Sequence, residues 1–315
     1  MTAVQQTQLS DTWPPLPLDE WLETYETLRR WTQMVGKTRM ALAPMQNHWW
    51  QVTLYLTARG LGTSTIPYRD RSFEIEFDFI DHLLVVRTDE GVTRSMPLAP
   101  QSVADFFRDY MAMLGSLGIE PKIYPRPVEI ADATPFAEDR VHATYDGDAA
   151  RRFWRALSQA DRVLKEFRSG FIGKCSPSHF WWGGFDLSCT RFSGRRAPPH
   201  GGSPPNTPEY VNLEAYSHEC ISAGFWPGSV GTSVEEPVFY AYAYPEPAGC
   251  PEASVRPAAT EYNMEFREWF LPYERVRTAP DPDAALLEFL DSTYSAAADL
   301  GGWDRTLLER PRGRA

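Results

Sequence analysis

From about Asp19 the sequence reads as helix, alternating strands and helix, and from about residue 148 the same order comes again. This doubled order constrains the fold more than any other feature, because each passage supplies apolar helix faces and half-apolar strands that must cover one another. In the first passage Trp21, Tyr25, Leu28 and Thr32 share a helical face, widened by Leu22, Trp31 and Val35, with Asp19 as cap and Gly36 as stop. Trp50, Val52, Leu54 and Leu56 then alternate with polar neighbours. Phe73, Ile75, Phe77 and Phe79 alternate with Glu74, Glu76 and Asp78, the pattern of a half-buried strand. Residues 83–88 and 92–98 pair around the turn Asp89-Glu90-Gly91, and Pro100 and Ser102 open a helix that closes near Gly118.

A Pro-rich connection, 119–147, leads to the second passage. Phe153, Leu157, Ala160, Leu164 and Phe167 form its helical stripe, ended by Gly170. Pro177 precedes an aromatic strand over 180–191. In the strand 238–244, Phe239, Ala241 and Ala243 face one way and Tyr240, Tyr242 and Tyr244 the other. Residues 265–277 are extended, and Pro282 and Asp283 open a last helix stopped by Gly301-Gly302. Asn47-His48-Trp49-Trp50 matches Ser178-His179-Phe180-Trp181-Trp182, and Thr57-Ala58-Arg59-Gly60 matches Thr190-Arg191-Phe192-Ser193-Gly194. The expected fold is therefore α+β, with two tandem helix–strands–helix pseudo-repeats, residues 13–130 and 148–305. Their largely antiparallel sheets are covered by helices in one compact unit, and the second repeat carries an insertion over 192–236.

The net charge of −11 argues against nucleic acid, whose binding faces concentrate Lys and Arg. No apolar run reaches the roughly 18 residues of a membrane span, and residues 1–10 are polar, unlike a signal peptide. Cys175, Cys189, Cys220 and Cys250 form no Cys-x-x-Cys pair, which points to free thiols in the cytoplasm. Residues 1–12 are expected to be disordered, and the basic tail 310–314 frayed and solvated. No Gly-x-Gly-x-x-Gly, phosphate loop or Gly-x-Ser-x-Gly elbow is present.

The insertion concentrates the candidate chemistry. A helix starting at Pro208 and running to Gly224 would place Glu214 and His218 on one face. With His200 from the loop and His179 from the preceding strand, they make a candidate site for a divalent metal, zinc or iron. Alternatively His218 with Glu219 or Glu214 transfers protons, while Arg191 or Arg195 holds an anionic group of a small-molecule substrate. Cys220 is a weaker candidate nucleophile, and Tyr240, Tyr242, Tyr244 and Glu246 candidate pocket residues. A small-molecule enzyme is the leading expectation, and a non-catalytic ligand-binding or scaffold protein with an aromatic-lined cleft is the alternative.

The runs Asn47-His48-Trp49-Trp50, His179-Phe180-Trp181-Trp182-Gly183, Thr190-Arg191-Phe192-Ser193-Gly194-Arg195, Tyr216-Ser217-His218-Glu219 and Tyr242-Ala243-Tyr244-Pro245-Glu246-Pro247 resemble a bacterial family catalogued as the domain of unknown function numbered 5996. The resemblance covers about residues 13–309. It implies a bacterial cytosolic protein of one shared architecture and carries over no catalytic residue.

Overall fold

The computed structural model describes residues 12–311; the expectations for residues 1–11 and 312–315 fall outside them. Two antiparallel sheets of six strands each carry the fold. The first contains β1 (Tyr55–Leu56), β2 (Gly60–Gly62), β3 (Ile66–Tyr68), β4 (Arg71–Asp78), β5 (Leu83–Thr88) and β6 (Thr93–Pro97). Its order is β1-β2-β4-β5-β6, with β3 also paired to β4. The second contains β7 (His179–Trp181), β8 (Asp186–Arg196), β9 (His218–Trp226), β10 (Val238–Tyr244), β11 (Glu261–Asn263) and β12 (Glu268–Pro272), in the order β11-β12-β10-β9-β8-β7. The sheets meet edge to edge at one bridge, where Leu54 and Phe180 exchange backbone hydrogen bonds of 3.0 and 2.9 Å.

Among the described residues seven α-helices accompany them: α1 (Leu22–Leu42), α2 (Val103–Ser116), α3 (Gly147–Ser169), α4 (Glu209–Ala215), α5 (Tyr273–Arg277), α6 (Pro282–Leu300) and α7 (Arg305–Leu308). The starts of α2, α3 and α6 follow from side-chain caps. Ser102, Asp146 and Asp281 each accept a backbone N–H of the first turn, and Pro282 fills the first position of α6. Helices α3 and α6 cover one face of the second sheet, where Leu187, Cys189, Ile221, Ala223, Phe225, Phe239, Ala241 and Leu271 are buried. One contiguous apolar core runs from Trp13 to Trp303 through both halves.

Helix α1 departs from expectation. It does not stop at Gly36 but runs on to Leu42, and Asp19 lies in a short 3-10 turn before it rather than capping it. Gly36 serves close approach instead: a Cβ there would overlap the Trp182 indole, whose Nε1 donates to the Val52 carbonyl at 2.7 Å. The helix is buried almost all round although it carries Arg29, Arg30, Lys37 and Arg39, exposed by 6, 2, 1 and 6%. Arg30 pairs with Glu26, Asp132 and Asp139 at 2.6, 3.1 and 3.2 Å, which ties the Pro-rich connection down. That connection contains no strand.

Each half thus runs helix, antiparallel sheet, helix, but this shared order does not make the halves duplicates. The matched segments differ locally. Residues 47–52 form a 3-10 segment with left-handed His48 (φ 58°) and Trp49 (φ 62°), not a strand, whereas His179 stands in β7. The expected insertion also shrinks. Its helix ends at Ala215, so Glu214 and His218 do not share a helical face, and the chain continues as β9, a central strand. Cys220, Ile221, Ser222, Ala223 and Phe225 are buried on both faces, so the strand lacks the alternation that would have marked it. What remains of it outside the sheet is the segment 197–217 and the connection 227–236.

Candidate functional site: a roofed acidic and aromatic cavity

Strand parity decides which side of the second sheet each residue serves. Odd-numbered residues of β8 and β9 point to the helices. Even-numbered ones, with Tyr240 and Tyr242 of β10 and Glu268 and Phe270 of β12, form the opposite face. That face is partly roofed by residues 197–217 and by the 3-10 segment 47–52, leaving a half-open cavity of about 470 Å³. Trp49, Trp50, Trp181, Trp226, Phe192 and Phe266 supply further aromatic wall.

The roof is fastened at several points. The Glu129 N–H donates to the Pro205 carbonyl at 2.8 Å, and the Asn206 amide to that of Ile130 at 2.8 Å. The Tyr216 and Tyr242 hydroxyls meet at 3.0 Å. The His200 ring packs against both Tyr216 and Tyr244, with centroids 4.5 and 4.7 Å away. At the far edge His48 joins the two roof pieces. Its Nδ1 meets the Ala215 carbonyl at 2.8 Å, and its backbone N–H donates to the Glu214 carboxylate at 3.2 Å. Its Nε2 then accepts from the Lys174 ammonium at 2.6 Å. Burial lowers the His48 pKa, so it is the neutral imidazole that receives the lysine.

Three carboxyl groups line the cavity: Glu129 from the Pro-rich connection, Asp186 at the start of β8 and Glu268 at the start of β12. Glu129 and Asp186 flank Gly184, where a Cβ would lie 3.7 Å from Glu129 Oε2 and 2.7 Å from Asp186 Oδ1. The Tyr240 hydroxyl donates to Asp186 Oδ2. It reaches there by crossing β9 over Gly224, where any Cβ would press on Ser188 Cβ at 2.8 Å and on Tyr240 Cζ at 2.9 Å. Burial pushes the Asp186 carboxyl up to about 7 against the Tyr240 hydrogen bond, with Glu129 adding repulsion. Burial, then Asp186, push Glu268 up to about 8. Burial also raises Glu129, opposed by Arg29 and Lys37.

Arg29 is the only Lys or Arg lining the cavity among the described residues, and each of its guanidinium nitrogens already has a partner. Its Nε and Nη2 bond the Gly183 carbonyl at 3.1 and 2.8 Å, Nη2 the Glu129 carbonyl at 3.0 Å, and Nη1 the Tyr25 hydroxyl at 3.3 Å. Helix α1 thereby holds the β7–β8 turn and, through it, the position of Asp186.

The residues singled out by sequence fall elsewhere. The sheet itself separates Arg191, Glu219 and Arg195 from the cavity. Arg191 is buried on the helix side, its guanidinium 3.4 Å from the Phe167 ring centroid and 4.2 Å from that of Tyr294. Arg195 pairs with Glu219 at 2.6 Å and donates to the carbonyls of Gly301 and Gly302 at 2.7 and 3.0 Å, which fixes the end of α6. The proposed proton-transfer pair of His218 with Glu219 is therefore not formed. The four expected metal ligands are not brought together either. Glu214 and His218 both approach His48, the latter with ring centroids 5.8 Å apart, but His200 is stacked under the roof. His179 is packed among Trp50, Tyr55 and Trp181 at 5.5, 5.5 and 5.4 Å. Burial, then Arg39 and Arg168, lower its pKa to about 3. Among the described residues no group of three His, Cys, Asp or Glu is placed to hold a metal ion. Cys220 lines the cavity, but burial pushes its thiol up to about 12, an unreactive state.

Tyr240 and Tyr242, read as candidate pocket residues, do line the cavity, whereas Tyr244 holds the roof through the Pro198 carbonyl at 3.0 Å. Asp186, Glu268 and Glu129 escaped sequence reasoning. The signal for Asp186 was its alternation with Ser188 and Thr190 opposite Leu187 and Cys189; what it could not convey was that this polar face has a roof.

Fold and site together define an α+β protein with a half-open, carboxyl-lined cavity. The chain belongs to the DUF5996 family, described as a family of unknown function, which it matches over residues 13–310. No curated protein and no solved structure matches it.

Proposed function

We propose that the protein binds a small organic molecule in the cavity between the second sheet and its roof. One observation carries this reading. An antiparallel sheet facing helices on one side ordinarily gives its other face to water, whereas here that face is covered and the cover leaves about 470 Å³ unfilled. This volume lies within the range of about 300–1,000 Å³ typical of small-molecule sites. Ser222→Trp tests it, because Ser222 lies mid-strand in the floor and an indole there occupies the space. Metabolites that raise the melting temperature of the wild-type protein should fail to do so in this variant, provided circular dichroism shows both folded. Equal shifts in the two proteins, or no shift with any compound, would sink the reading.

A second reading, catalysis in the same cavity, is favoured by the Tyr240–Asp186 pair. A carboxyl group raised to about 7 and hydrogen-bonded to a phenol suits general acid–base work at neutral pH. Asp186→Asn should then abolish turnover of a bound compound while leaving its binding measurable. A bacterial cytoplasmic setting is part of the proposal, supported by the four free thiols and the charge pattern. No described helix is long and apolar enough to cross a membrane.

A further inference from the structure

We infer that the cavity takes an organic cation, a protonated amine or quaternary ammonium held between the Asp186 and Glu268 carboxylates and the aromatic walls. The inference rests on the binding function proposed above and names its ligand class. Glu268 is the decisive residue. Its half-buried side chain lines the cavity, and among the described residues none donates a hydrogen bond to its carboxyl. No cation acts on it. The Glu129 carboxyl likewise accepts no hydrogen bond, although Arg29 and Lys37 lie near enough to offset its charge. Asp186 has the Tyr240 hydroxyl and the field of Arg29, whose guanidinium nitrogens already bond carbonyls and a tyrosine.

A carboxylate shielded from bulk water gains from a partner, since an unpaired charge there is costly. Asp186 and Glu268 face one space and repel each other; Arg29 offsets Asp186 alone and Glu268 has no counter-charge, so the missing partner is a positive one. A neutral sugar would stack on the same rings but supply no charge. A metal ion needs several ligands within about 2–2.6 Å, and no described group is so placed. A cation with an organic body satisfies both surfaces. Its charge meets the carboxylates, and the faces of Tyr240, Phe270 and Trp226 attract it through their quadrupoles. Binding draws both carboxyl groups to their ionised forms, so a proton held by either is released to buffer.

The test is calorimetric titration of the full chain with putrescine, agmatine and benzyltrimethylammonium, against 1,4-butanediol, benzyl alcohol and glucose. At least one cation should bind where its neutral counterpart does not. Proton release should appear as a heat that changes with the ionisation enthalpy of the buffer at pH 7. Glu268→Gln should weaken that cation by about ten-fold or more, and a charge control on the surface, Asp109→Asn, should leave it unchanged. Binding of neutral compounds with none of the cations, or cation binding unaltered by Glu268→Gln, overturns the cation while leaving the cavity a binding site. If neither these probes nor a wider metabolite set distinguishes wild type from Ser222→Trp, both readings fall.

Discussion

The outer faces of the two sheets carry similar residues and treat them oppositely. On the first sheet Glu74 and Glu76 of β4 are answered by Arg87 of β5 at 3.4 and 2.8 Å, and Asp78 by Arg59. Thr57 adds a hydrogen bond to Glu76 at 2.7 Å. Arg59 and the hydrogen bonds from residues 80 and 81 hold Asp78 below its ordinary value despite burial. On the second sheet Asp186 and Glu268 lie under a roof with no arginine of their own, and burial drives them towards the neutral acid. The same side-chain type is structural where it is paired and open to use where it is not.

Four substitutions would break or sharpen this contrast. The largest effect is expected from Arg29→Ala, which frees two carbonyls and leaves Glu129 without its nearest guanidinium. A loss of about 3–5 kcal/mol is expected from urea unfolding, and an unchanged midpoint would refute the role given to this arginine. Next comes Glu268→Gln, which should stabilise. The folded protein keeps the Glu268 proton up to about pH 8, whereas the unfolded chain loses it near pH 4–5. Between those limits the unfolded state binds fewer protons, so wild-type stability falls as pH rises. The variant should therefore be more stable than wild type by about 1–4 kcal/mol at pH 9 and nearly equal to it at pH 4; a gain independent of pH would contradict the buried, unpaired carboxyl. Third, Gly224→Ala should cost about 1–3 kcal/mol through overpacking and displace Tyr240 from Asp186, visible as a shift of the tyrosine ring resonances. The smallest effect belongs to the first sheet. Arg87→Ala, at a side chain 40% exposed, should change stability by less than about 1 kcal/mol, and a larger loss would show that the paired face matters more than its exposure suggests.

Much of the architecture was legible from periodicity. Strand β5, the turn after it, the cap at Ser102, the stripe of α3 and the Pro282 start of α6 all stand where local rules put them. The antiparallel sheets covered by helices also stand. The failures share a cause. Gly36 reads as a stop from its own chemistry, yet Trp182, far along the chain, needs it inside a helix. Strand β9 reads as helix because a strand buried on both faces shows no alternation, while Glu214 and His218 happen to stand four apart. The candidate site suffered most. Histidines, arginines and glutamates close in sequence were parted by strand parity, and three carboxyls from residues 129, 186 and 268 were gathered by the fold. No local pattern announces that a polar strand face will be covered.

The cations of α1 set a condition on how this chain can be divided. Arg29 answers carbonyls at residues 129 and 183, and Arg30 answers carboxylates at 132 and 139. A fragment cut near residue 117 would strand both guanidiniums, and one beginning near residue 148 would lose the clasp on the turn before Asp186. The cavity floor and the arginine that holds its turn therefore come from opposite ends of the sequence, and dividing the chain between them parts Asp186 from Arg29.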